Sequence, residues 1–319
     1  MAIRTPPEPL VPPALPTLLT GTTAEAVDPL AAADEGLQRL RPGFYATSDP
    51  AAPPAATRRE LVLARVAATY RTLESEYWFS HETAALLHGL WTYRLHDRVH
   101  LTQLYPPQVR RDDASYEHRY RLTRHWTPLP RRDRTTVAGL PVTTIERTAV
   151  DCARSLPPAA ALVVLDCALR HGADLRLLEQ MLEESRGKRG VVQARRIVAL
   201  ADPGAESPGE SLARFLLLEA GLPRPQTQVQ VRTALGDRWI DVGWPEARVG
   251  VEFDGEVKYT GLAGGDPDGV RRRERERQVA IEDEGWRIER AGWSDVDEPT
   301  GYVLAVRRAL HGRWGRLAA

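Results

Sequence analysis

The sequence predicts an α/β protein with more than one domain, an α+β region at the front and a helix-and-strand core at the back. Three observations carry this. The 319-residue chain is long enough for two or three separate cores. Stretches with apolar residues three or four apart, such as LVLARVAATYRTL (61–73), alternate with short β-type runs such as RVHLTQL (98–104). The segment ADPGAESPGE (201–210), rich in Pro and Gly, then separates a helical middle from a C-terminal part reading helix, two strands, loop, basic helix, strand and helix.

The elements follow in chain order. The start, MAIRTPPEPLVPPALP, is proline-studded, so its first 17 or so residues are predicted to be disordered. AADEGLQRLRPGFYATS reads as a helix end and a short hairpin bent at Pro42–Gly43, and SDPAAPPAAT (48–57) as a linker. Helices are predicted over 61–73 and 80–91, the second capped by Ser80 and ended by Gly89. Strands are predicted over 98–104 and 119–126. The next helix is entered at GLPVTTIERTAVDCAR, where Thr143 and Glu146 have capping-box spacing. ALVVLDCALRHG and LRLLEQMLEESRGKRG continue the helical middle, interrupted at Gly187 and Gly190.

Composition excludes several classes. The 43 basic and 43 acidic residues cancel, so any nucleic-acid footprint must be local. No apolar run approaches the roughly 20 residues that span a bilayer, and no signal peptide is evident, which predicts a cytoplasmic protein with no membrane partner. Cys152 and Cys167 are read as buried free thiols. No CxxC, HExxH, P-loop or GxGxxG is present. His81 and His88 are two helical turns apart, too far to share one ion, and are read as packing and helix-terminus residues. Arg147 and Asp151, four apart, are expected to bridge along their helix.

The stretch WIDVGWPEARVGVEFDGEVKYTG (239–261) carries the densest chemistry. With Pro245–Arg248 as a four-residue turn, Val242 lies opposite Val251 and Asp241 opposite Glu252. Ile240, Val242 and Trp244 then share an apolar face with Val249, Val251, Phe253 and Val257, while Glu252, Asp254, Glu256 and Lys258 share the other. Paired carboxylates on neighbouring strands repel. A divalent cation offsets the repulsion, because Mg²⁺ prefers carboxylate oxygens; a solvated charged face is the other reading of the same residues. Glu210, opening SPGESLARFLLLEAG, is either a third inward acid or half of a capping box with Ser207. Arg271, Arg272, Arg273, Arg275 and Arg277 crowd one helix, suited to phosphate positioning or to a solvated face.

Residues 205–298 resemble the PD-(D/E)xK nuclease superfamily, in the branch related to very-short-patch-repair endonucleases. Glu210, "WIDVGW", "VEFDG", the Arg/Glu-rich helix and "EDEGWRIERAGWSDVD" carry the likeness. It implies a restriction-endonuclease-like αβββαβ core over 203–319 that binds Mg²⁺ (or Mn²⁺) and hydrolyses DNA phosphodiesters. Asp241 and Glu252 would be the metal ligands, and Glu210, Asp254 and Lys258 would complete the catalytic set. The family's lysine stands two residues after its second acid; here that position is Asp254, and Lys258 is the candidate replacement.

The front of the chain resembles the AbiEi-like antitoxin and regulator family over about 35–185, through "LRPGFYA", "FSHETAALLHGLW", "VHLT" and "GLPVTTIERTAVDCAR". That likeness implies a degenerate winged helix over 26–75, an α+β region over 76–202 and a toxin partner, after a Pro-rich tail over 1–25. The leading expectation is a DNA endonuclease, with a homodimer where both strands are cut. The alternative is a non-catalytic DNA-binding regulator or antitoxin-type protein on an inactive nuclease fold. A protein-interaction module, suggested by the zero net charge, is the third.

Overall fold

A computed structural model describes residues 5–20, 37–47, 51–105, 120–255 and 267–317. The chain divides into two compact units, one spanning Pro9–Ala199 and the other built on Leu200 and the residues after it.

The first unit holds two sheets. Strands β1 (Leu19–Thr20), β2 (Leu37–Arg41) and β3 (Phe44–Thr47) form a small antiparallel sheet in the order β1-β3-β2. The β2–β3 hairpin turns at Pro42–Gly43, as its sequence predicts, and Gly43 takes the φ of +75° that glycine tolerates. The residues before it, where a helix end was expected, lie outside the described residues. Helix α1 (Pro54–Thr72) starts inside the expected linker, because a proline at the first helical position gives up only an N–H that has no partner anyway. In the Pro-rich start, residues 5–18 form no helix; Leu18 is buried and Leu15 packs on the core.

The larger sheet has the order β6-β5-β4-β8-β7, from β4 (Trp78–Phe79), β5 (Val99–Gln103), β6 (Leu122–Trp126), β7 (Arg134–Val137) and β8 (Leu140–Thr143). Helix α2 (His81–His88) packs on it, so that Phe79, Leu86, Leu101, Leu122 and Val142 share one core with Val62 and Val66 of α1. Gly89 ends α2 at φ +79°. Ser80 is its N-cap residue, but the hydroxyl pairs with the His81 ring instead of a backbone N–H. Helices α3 (Ile145–Ser155), α4 (Pro158–Arg170), α5 (Leu175–Glu184) and α6 (Val191–Leu200) follow. The cap of α3 is Thr144, whose hydroxyl accepts from Arg147 N–H, one residue after the expected Thr143. Thr143 is still in β8, its hydroxyl paired with that of Thr148 at 2.7 Å. Cys152 and Cys167 are free and buried in α3 and α4, as expected. Arg147 bridges Asp151 at 3.0 Å and also Asp133 at 3.1 Å, a buried ionic triad.

The second unit runs α7 (Pro208–Glu219), β9 (Gln226–Thr233), β10 (Gly236–Trp244), β11 (Val249–Phe253), α8 (Pro267–Asp283), β12 (Arg287–Ala291), α9 (Trp293–Asp297) and α10 (Thr300–Leu317). Its sheet has the order β12-β11-β10-β9, antiparallel except for the β11–β12 pair. A parallel pair needs a crossover, and α8 lies within it. The strand-by-strand reading of the sequence missed β9, although Val229 and Val231 alternate to the inside of QTQVQVRT. Helices α7 and α10 cover one face through Ala213, Leu217, Val306 and Leu310 against Val242, Trp244, Val249 and Val251. Ile281 of α8 packs on the other with Val229, Val231 and Ile240.

Candidate functional site

The hairpin register is the expected one. Val242 pairs with Val251, Gly243 with Gly250 and Trp244 with Val249 around the 245–248 turn. The face assignment is corrected at one residue. Ile240 does not join Val242; it packs with Ile281 on the α8 side, where a Cβ on Gly250 would come within 2.6 Å of Ile240 Cγ2. Residues 240 and 242 have the same parity yet opposite faces, so the alternation breaks at Asp241. In β9, Gln228 breaks from regular strand geometry with φ +49°. Asp241 thus sits where the sheet changes face, and its Oδ2 accepts the Phe253 N–H at 2.9 Å.

Around Asp241 opens a cleft of about 750 Å³, lined among others by Glu210, Glu252, Asp254, Arg277, Arg290 and Trp293. Glu210 arrives from the first turn of α7, where Ser207 caps the helix and Pro208 occupies its first position. Glu210 is tied to the helix start by its backbone and side chain. Its N–H donates to Ser207 Oγ at 3.2 Å, and its carboxylate accepts from Ser207 Oγ–H, Glu206 N–H and Gln228 Nε2–H at 2.9, 2.8 and 3.2 Å. It is also 8% exposed and lines the cleft. Burial, then the charge of Asp241, pushes its carboxyl up to about 8, against the hydrogen bonds that favour the ionised form.

Glu252 and Asp254 are paired with arginines. Arg277 Nη2–H donates to Glu252 Oε1 at 3.0 Å and to the Trp239 carbonyl at 2.6 Å. Arg290 bridges Asp254 at 3.0 Å and Gln278 at 3.0 Å. Of the expected arginine cluster, Arg277 reaches the cleft. Arg275 is exposed and lines a separate hollow with Leu235 and Val279, so it is not placed for a phosphate in this cleft. The side chains of Arg271, Arg272 and Arg273, and the whole of Glu256 and Lys258, lie outside the described residues. Sequence reasoning missed Arg290, Gln228 and Trp293. Arg290 and Trp293 stand in the quoted "WRIERAGW", where the alternation of β12 was the available signal; Gln228 lies on the overlooked β9.

Hard oxygen donors suit Mg²⁺ or Mn²⁺. Even so, among the described residues the three groups whose ligating atoms converge within 4.8 Å are not these acids but His81, His100 and His125, in the first unit. No helix among the described residues is long and apolar enough to cross a membrane.

Residues 79–202 match the AbiEi antitoxin C-terminal domain family. Over 184 residues the chain is 35% identical to two proteins of Mycobacterium tuberculosis, MT2308 of strain CDC 1551 / Oshkosh and Rv2248 of strain ATCC 25618 / H37Rv, both described as uncharacterized. Those alignments cover 57% of this chain and 65% of the relatives' own length. A solved structure, that of the RV2827C protein from Mycobacterium tuberculosis, has 19% identity and covers 65% of this chain and 77% of its own, with a TM-score of 0.30. The antitoxin-domain match runs from the end of β4 through α6; it includes the three histidines and stops before the carboxylate cleft.

Proposed function

We propose that the chain is an antitoxin-type regulator, with residues 79–202 as the part that meets a toxin partner. The match of those residues to an antitoxin domain supports this reading. The resemblance of "LRPGFYA", whose residues form the β2–β3 hairpin, to the wing of a DNA-binding winged helix supports DNA as the second proposed partner. The test is co-expression. The genes flanking this one are induced singly in a heterologous host, with and without this chain. The reading expects one of them to arrest growth and this chain to relieve the arrest. No toxic neighbour, or an arrest that the chain leaves untouched, would overturn it.

A second reading rests on the cleft, where the acids of Glu210 and Asp241 repel each other beside two arginines. Here the C-terminal unit, ordered αβββαβ before its last two helices, is a metal-dependent nuclease acting on DNA. Asp241 and Glu252 would hold Mg²⁺ or Mn²⁺, which when bound supplies a water of lowered pKa. The chain's own groups do the positioning. The Phe253 N–H orients Asp241, Arg277 holds Glu252 and Arg290 holds Asp254, and the same two guanidinium groups would be the donors for phosphate oxygens. Supercoiled DNA with Mg²⁺ or Mn²⁺ is the substrate for the test. Nicking by the wild type, lost in Asp241→Asn with DNA affinity retained, is the expected result. An inert wild type in both ions would sink this reading and leave the unit as a scaffold for the regulator.

A further inference from the structure

The three converging histidines come from three elements of the first unit. His81 opens α2, His100 lies in β5 and His125 in β6. The parallel register sets His100 against Thr123 and Thr102 against His125, so the two rings approach on a diagonal. His100 Nδ1 and His125 Nε2 are 3.0 Å apart. The His81 ring lies over His125 with centroids 3.7 Å apart and planes 15° from parallel; the His81–His100 and His100–His125 centroids are 5.7 and 5.3 Å apart. His81 is buried, and the other two are partly open to solvent, so an ion has a way in.

We propose that His81, His100 and His125 form a binding site for a transition-metal ion of the Zn²⁺ class. Three imidazoles with no carboxylate among them select Zn²⁺, Co²⁺, Ni²⁺ or Cu²⁺ over Mg²⁺ and Mn²⁺. Nitrogens at about 2.0–2.1 Å from a tetrahedral ion stand about 3.4 Å from one another. The nitrogens here lie within 4.8 Å of each other, and an ion between them requires the His81 ring to turn out of its stack on His125. The outer contact is also in place. Ser80 Oγ is 2.9 Å from His81 Nδ1. With Nδ1–H donating to that hydroxyl, the Nε2 lone pair is free for the ion, the usual role of an oxygen behind a ligating histidine. This contact explains why Ser80 does not cap α2 with its side chain. His81 also takes φ +54°, a left-handed backbone that a non-glycine residue keeps only where its surroundings demand it. Three protein ligands leave a fourth position for water or for an exogenous donor.

The test uses the full chain without a polyhistidine tag, stripped with a chelator and titrated with Co²⁺ alone, then displaced with Zn²⁺. The expected result is one equivalent of Co²⁺ bound at micromolar affinity, with the intense visible absorption of a four-coordinate ion. Binding should weaken at least tenfold in His100→Gln and in His125→Gln and stay unchanged in His88→Gln. Wild type that binds neither ion at micromolar concentration overturns the proposal, as does binding that survives in the His100→Gln/His125→Gln double variant. If those variants do not fold, X-ray absorption on the zinc-loaded wild type decides. Three imidazole nitrogens on the ion support the site, and an oxygen-dominated shell overturns it.

Discussion

Asp241 illustrates how one side chain is asked to do two things. Its carboxylate accepts the Phe253 N–H, which joins β10 to the end of β11 just past their last ladder pair, and it stands against the buried acid of Glu210. The two roles separate by substitution. Asp241→Asn keeps an acceptor and removes the repulsion, so in the presence of a chelator it is expected to melt at or above the wild-type temperature. Asp241→Ala leaves the N–H without its partner and is expected to lose about 1–3 kcal/mol in urea denaturation. An Asn variant less stable than the Ala variant would refute this division. His88 carries a pH prediction of its own. Its Nε2 is 2.7 Å from the Thr143 carbonyl, and burial lowers its pKa below the ordinary histidine value, only partly opposed by that bond. The unfolded chain therefore takes the proton first. The stability His88 contributes is complete above about pH 6.5 and is lost as the pH falls from there toward its depressed folded value. Denaturation midpoints should fall between pH 7 and pH 5, and less steeply in His88→Gln. Part of the slope remains in that variant, because other buried histidines titrate with the same sign; His100 is pushed down to about 2, chiefly by burial. Equal slopes in both proteins would show that His88 does not titrate on unfolding.

At the scale of elements, the glycines of the hairpin set how closely its layers pack. A Cβ on Gly250 would stand 2.6 Å from Ile240 Cγ2 and 2.9 Å from Ile288 Cδ1, so Gly250→Ala is expected to cost about 1–3 kcal/mol by overpacking, read as a lower urea midpoint with the slope unchanged. The same hairpin shows what a single sequence reveals. Its register was legible because a one-residue slip would have put Val242 and Val251 in water. The face of Ile240 was not, because the alternation rule assumes an unbroken strand and the break at Asp241 and Gln228 has no local signature. The α3 cap missed by one residue for a related reason. Thr143 and Thr144 are both good caps, and only the length of β8 decides between them. Glu210 and Asp241 line one cleft, and helix-start and strand patterns had placed each of them independently. The histidine triad was invisible, since His81, His100 and His125 meet through a parallel strand pairing that no local spacing encodes.

At the scale of the whole molecule, each unit has its own cores and its own buried polar centre, and separable energetics are the expected outcome. In the first unit, Arg147 is shared by Asp133 and Asp151, whose side chains are 3% and 1% exposed. Arg147→Met strands two buried acids and is expected to cost about 3–5 kcal/mol. Substitutions that share no partners add to within about 0.5 kcal/mol. Native-state hydrogen exchange read by peptide is the appropriate measurement, because it reports each region separately. Arg147→Met should raise exchange in α2, α3 and β8 while leaving β9–β12 alone. Gly250→Ala should do the reverse, and the double variant should show both changes at their single-variant size. A change in β10 and β11 caused by Arg147→Met would mean that the chain unfolds as one cooperative body. The regulator and cleft readings would then have to be tested on the intact chain alone. Additivity would license assigning each activity, and each metal, to its own unit.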